Sequence, residues 1–221
     1  MESARTLLKN YKGLRGRKEK KDLILAVHSY MAELGYPVCF AENVFTAGYM
    51  TAGNLKSAEF LIAVPIFKSE SSNMSLLTAL LIAENLQENL RESVCFLFSY
   101  SIGAGIREYK KYDKEPGKSH LVIYLGEIAA GDLIEITLSK SIKRDSQKLD
   151  LIFGISGIYG NKKIMVRKKG RIPFRYQKLP YSVLIHSLAP KKDQKQSISD
   201  ETNVNLLQAA ILTMISRKAV K

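Results

Sequence analysis

The chain has 221 residues, 46% of them hydrophobic, and a formal charge of +13, which is enough apolar material for one sizeable core. Its longest unbroken apolar run, Phe60 to Phe67, has eight residues including Pro65, whereas a membrane-spanning helix needs roughly 20. The first residues carry only Leu7-Leu8 before further lysines and lack the apolar stretch of about 7–15 residues of a secretory leader. A spanning helix is excluded, and the expectation is a soluble, cytoplasmic protein of one domain.

The elements follow in chain order. Leu23, Val27, Tyr30, Met31 and Leu34 recur at helical spacing before Gly35 and Pro37, which predicts a helix from about Lys18 to Leu34 with a sharp stop. Val38 to Phe45 reads as a strand and Gly48 to Gly53 as a turn-rich stretch. Glu59 to Phe67 has the length and apolarity of a strand covered on both faces. Ser71, Ser72 and Asn73 offer N-caps to a long apolar helix through Leu86. Ser93 to Tyr100 and His120 to Leu125 read as further buried strands, with a short helix over Gly103 to Tyr112 between them. Ile134, Ile136 and Leu138 alternate as a half-exposed strand. Lys140 to Ser156 reads as one weak helix, and Lys162 to Val166 and Ser182 to Ile185 as short strands. Residues 191–199 form a polar, flexible loop before a closing helix through Val204, Leu207, Ile211, Met214 and Ile215, capped by Ser199 or Asp200. Strands alternating with helices predict an α/β fold of three layers, α-β-α, around a mostly parallel mixed sheet. No internal repeat divides residues 1–221.

Few residues carry chemistry. Cys39 and Cys95 sit in apolar segments and read as buried free thiols, in no metal or disulfide pattern. His28, His120 and His186 lie far apart in no ligand spacing. Gly103-Ala-Gly105 lacks the third glycine and the Lys-Ser/Thr of a phosphate loop. Gly154-Ile155-Ser156-Gly157 lacks the final glycine of a nucleophile elbow and reads as a turn. The positive charge is clustered: eight cations lie within the first 21 residues, and no acid lies between Asp150 and Asp193. Lys162, Lys163, Arg167, Lys168, Lys169, Arg171 and Arg175, with Phe174 and Tyr176, could contact phosphates and stack on bases. They read equally as the solvated face of a basic hairpin, Met165-Val166 against Ile172-Phe174, and this second reading is the one favoured.

The order of segments resembles the co-catalytic zinc aminopeptidase family, the exopeptidase fold shared by bacterial leucyl aminopeptidases, glutaminyl cyclases and the transferrin-receptor ectodomain. The likeness runs from Leu7 to Leu138 and more loosely through the closing helix. The first long helix ends in Ala-Glu-Leu-Gly-Tyr (Ala32 to Tyr36). Glu59 to Lys68 is similar to the strand that ends in Ala-His-x-Asp. Ser71-Ser72-Asn73-Met74-Ser75 is similar to Asn-Asp-Asn-Ala-Ser-Gly and its helix. Ser93 to Arg107 is similar to the strand with Phe-Asp-x-Glu-Glu-x-Gly, and His120 to Asp132 to the one with Asn-Leu-Asp-Met.

The family holds two zinc ions with histidines and carboxylates, and a further Glu acts as general base. Carried over by position, the first ligand His falls near Pro65 and the bridging Asp near Ser72. The paired glutamates fall at Ser101 and Ile102, and the next ligand Asp at Gly126. The final His belongs after Arg171, where His186 does not align with it. Zinc takes imidazole, thiolate or carboxylate, and its bound water is what makes hydrolysis feasible. The resemblance therefore implies a degenerate member: no metal, no cofactor, no catalytic residue. Ser69, Glu70, Ser72, Asn73, Ser101 and Glu127 would line a residual polar pocket, or serve as caps and loop residues. The expected function is a non-catalytic scaffold for a protein or peptide partner, which could be a second copy, with no membrane role. Two alternatives stand beside it. One is a metal-dependent hydrolase with relocated ligands (Glu70, Glu127, Asp132 and His186). The other is a basic nucleic-acid-binding protein.

Overall fold

The apolar runs of the middle of the chain form the centre of a nine-stranded mixed sheet in a computed structural model, which describes residues 3–11, 17–40, 49–66, 70–99, 121–128, 131–159, 162–167, 181–187 and 201–219. The strands are β1 (Val38–Phe40), β2 (Tyr49–Ala52), β3 (Phe60–Pro65), β4 (Val94–Ser99), β5 (Leu121–Leu125), β6 (Leu133–Leu138), β7 (Gly157–Tyr159), β8 (Lys162–Arg167) and β9 (Ser182–Ser187). Their order is β1-β2-β4-β3-β5-β9-β6-β8-β7. The block β4-β3-β5-β9 is parallel throughout. β2 joins it antiparallel at one side and β6 at the other. β8 runs parallel to β6, and β7 closes the sheet antiparallel to β8.

Five α-helices accompany the sheet among the described residues: α1 (Ala4–Asn10), α2 (Arg17–Glu33), α3 (Glu70–Asn85), α4 (Ser146–Phe153) and α5 (Thr202–Ala219). All five bury apolar residues in one cluster with one face of the sheet, including Met50, Ile62, Phe96, Ile123, Ile136 and Ile185. The alternate residues Tyr49, Leu61, Ala63, Cys95, Leu97, Val122, Tyr124 and Leu184 form a second buried cluster on the opposite face. Burial on both faces explains why β3, β4 and β5 are nearly continuous apolar runs. No described helix is long and apolar enough to cross a membrane.

The stop signal after α2 works as its residues require. Gly35 takes φ +86°, and the N–H groups of Gly35 and Tyr36 donate to the carbonyls of Ala32 and Met31. This is the Schellman arrangement that glycine makes accessible. Arg91 adds a 2.6 Å bond to the Leu34 carbonyl, and its guanidinium lies over the Tyr36 ring.

Several sequence expectations need correction. The stretch read as a turn contains β2, whose four residues are all buried. Pairing with β1 and β4 overrides its weak local signal, and Gly53 ends it with φ +106° at a point where a Cβ would lie 2.5 Å from the Val94 carbonyl oxygen. Ser71, Ser72 and Asn73 fall inside α3, which begins at Glu70, so they do not cap it. β6 is buried on both faces, with Glu135 and Thr137 buried as well as Ile134, Ile136 and Leu138. Residues 140–156 divide into a 3-10 turn at Ile142–Arg144 and the shorter α4, capped by Asp145. Gly157 starts β7, whose hairpin with β8 lies on the N-terminal side of β8. Cys39 is exposed, and only Cys95 is buried. The expected helix over Gly103 to Tyr112, the strand arm Ile172-Phe174, the loop 191–199 and the caps Ser199 and Asp200 lie outside the described residues.

Candidate functional site at the carboxyl ends of the parallel strands

In open α/β sheets, ligands gather beyond the carboxyl ends of the strands. Here that edge is built by β3, β4, β5 and β9. Pro65 pairs with Ser99 across β3 and β4, and the Ile66 N–H donates to the Ser99 carbonyl at 2.8 Å. Beyond β5, the Gly126 N–H donates to the Ile185 carbonyl at 2.8 Å, and the Ser187 N–H to the Glu127 carbonyl at 3.0 Å. The chain leaves β3 toward α3, so Glu70, Ser72 and Asn73 stand in the first turn of α3 at this same edge. Asn73 is half-buried and Glu127 is exposed. The structure thus brings four of the six proposed pocket residues to one edge, while Ser69 and Ser101 lie outside the described residues, as does Ile102.

Two of the positions carried over for zinc ligands, Pro65 and Gly126, supply no donor side chain. Pro65 offers no side-chain donor and is buried as the last residue of β3. At Gly126 a Cβ would lie 3.1 Å from both the Ile185 carbonyl oxygen and Leu184 Cδ1, and 3.3 Å from His186 Cβ. The ligand Asp expected there would need β9 to give way by a few tenths of an ångström to admit its Cβ. The Gly126 carbonyl is itself taken, accepting a hydrogen bond from the fully buried Ser75 hydroxyl. Among the described residues, no group of three or more His, Cys, Asp or Glu is placed to hold a metal ion.

A charged cluster that the sequence pattern concealed lies next to this edge. Glu135 sits in β6 between Ile134 and Ile136, opposite His186 on β9 and Met165 on β8. Its side chain is only 4% exposed, yet Oε1 lies 2.6 Å from Arg167 Nη2 and Oε2 lies 3.5 Å from His186 Nε2. A buried carboxylate is costly unless paired, and Arg167, two residues beyond Met165, reaches back to pair it. Burial pushes the His186 pKa below the ordinary histidine value. Arg167 adds to that, while Glu135 and Glu127 oppose it. Among the described residues, none hydrogen-bonds the buried His186 Nδ1. The alternation of β6 made Glu135 look solvent-facing, and no local signal marks it otherwise.

The remaining candidates have structural places. His28 stacks on Phe40 with ring centroids 4.8 Å apart. Burial pushes the Cys95 thiol up to about 12, which leaves it a poor nucleophile. His120 lies outside the described residues. In the basic segment, Lys163 and Arg167 are exposed on β8 and share a face, but the Arg167 guanidinium is engaged by Glu135. Lys162 begins β8, whereas Lys168, Lys169, Arg171 and Arg175 lie outside the described residues.

No protein-family model matches the sequence, and no curated protein matches it by sequence. Solved structures do share its fold. A glutaminyl cyclase from Porphyromonas gingivalis superposes with a TM-score of 0.68 at 12% identity, covering 98% of this chain and 97% of that one. A glutaminyl cyclase from Macrostomum lignano gives 0.66 at 16% identity over 98% and 90% of the two chains. A leucine aminopeptidase precursor from Bacteroides thetaiotaomicron gives 0.66 at 12% identity over 96% and 95%. The chain has the α/β fold of glutaminyl cyclases and zinc-dependent exopeptidases, spanning nearly their full length.

Proposed function

We propose that this chain uses a peptidase-like fold as a non-catalytic scaffold for binding or assembly. The observation that carries the reading is Gly126: where the resembled enzymes supply a carboxylate, the chain has no side chain, and an added Cβ would crowd β9 at 3.1 Å from the Ile185 carbonyl oxygen. Pro65 in place of a histidine, and Ser72, Ser101 and Ile102 in place of carboxylates, point the same way, since none gives zinc its usual ligand. A partner would be a protein or peptide, with a second copy of the chain as one form of it.

The test combines metal analysis with two activity assays on purified, dialysed protein. The expected result is less than stoichiometric zinc, with neither release of an N-terminal residue from an aminoacyl substrate nor cyclisation of an N-terminal glutaminyl peptide, before and after zinc is added. Stoichiometric zinc accompanied by either activity would replace the scaffold with a hydrolase or transferase using relocated ligands. Steeply salt-dependent binding to nucleic acid, lost when Lys168, Lys169 and Arg171 are neutralised, would favour a nucleic-acid-binding role instead.

A further inference from the structure

The joint between the parallel block and the β6–β8 edge is antiparallel, and it is made where β9 meets β6. We propose that Glu135, Arg167 and His186 form a proton-linked clamp across this joint, one that holds while His186 is neutral and loosens when it takes up a proton.

The three groups come from three strands. Glu135 lies at the centre, on β6, nearly sealed from solvent, with one oxygen on Arg167 and the other facing His186. With His186 neutral, a ring proton on Nε2 would point toward Oε2 3.5 Å away, leaving the buried Nδ1 as a lone pair that no described residue meets. Protonation would put a second N–H on that buried nitrogen, where no described residue accepts it. It would also add a second cation to a site that already holds Arg167. Among the described residues the charged groups acting on His186 are Glu135 from β6, Arg167 from β8 and Glu127 from the segment after β5. The two acids favour the imidazolium, whereas burial and Arg167 disfavour it, and burial is the largest influence.

The direction of the pH effect follows. The folded-state pKa of His186 lies below the usual 6.5. Between those two values the unfolded chain holds a proton that the folded chain does not, so stability falls as pH drops through this window. Gly126 and Glu127, which follow β5, are hydrogen-bonded to β9, so loosening β9 would also loosen the carboxyl edge. The inference rests on the metal-free scaffold reading, because His186 and Glu127 are among the ligands that a relocated metal site would use.

Histidine ring resonances of the wild-type protein, followed by NMR from about pH 8 to about pH 4.5, read the clamp directly. His186 should titrate below 6.5, and His186→Asn assigns its signal. Arg167→Met should move the midpoint up by removing the repelling cation, and Glu135→Gln should move it down. The thermal midpoint of the wild type should fall through the same window while that of His186→Asn stays flat. A wild-type His186 that titrates at or above 6.5 overturns the clamp, and this readout stands even where a variant fails to fold. Equal acid sensitivity in wild type and His186→Asn overturns it as well.

Discussion

Gly126 and Glu135 belong to one row of the sheet, on either side of His186, yet the chain treats the two positions oppositely. At Gly126 it keeps no side chain, and a Cβ there would crowd β9 at 3.1 Å. At Glu135 it buries a charge and spends an arginine on keeping it paired. Retaining a fold's apolar layers is thus compatible with leaving one position of a row without a side chain and charging a neighbouring one. Glu135, Arg167 and His186 face one another across three neighbouring strands.

The contrast can be broken from either side. Arg167→Met should have the largest effect, about 3 kcal/mol by urea unfolding, because it strands the buried Glu135 carboxylate. The double variant Glu135→Leu with Arg167→Met should recover most of that loss, since an apolar pair of similar volume needs no solvation. Non-recovery would show that the charge pair does more than neutralise itself. Gly126→Asp should cost about 2 kcal/mol through overpacking against β9, and calorimetric titration should show no zinc binding gained. Glu135→Gln should cost less, roughly 1 kcal/mol, because Arg167 is 48% exposed and can rehydrate when released. The smallest effect lies far from the row, at the α4 cap. The Lys148 ammonium and backbone N–H hold the Asp145 carboxyl below its ordinary range. Its contribution is present above the unfolded carboxyl value and lost as pH falls through the folded one. Acid titration of Asp145→Asn should lack that component.

The sequence announced elements whose signals are local. α2 could be placed to within about a residue because its apolar spacing, Gly35 and Pro37 all act within a few positions. β3, β4 and β5 were visible as runs too apolar to be half-exposed. β2 was hidden because its four residues owe their burial to β4, far along the chain. The edge carrying Gly126 and Glu127 was legible from segment order alone, but the crowding at Gly126 was not, since it arises from β9. Glu135 was missed for the same reason: its partners Arg167 and His186 are supplied by two other strands. An acid between β-branched residues looks solvent-facing until the neighbours of that strand are known.

The most direct test of the central claim is a crystal of the protein soaked in zinc, with an anomalous difference map inspected at the carboxyl ends of β3 and β5. The account predicts no peak within coordination distance of Pro65 or Gly126. A pair of strong peaks there, held by side chains of this chain, would contradict it.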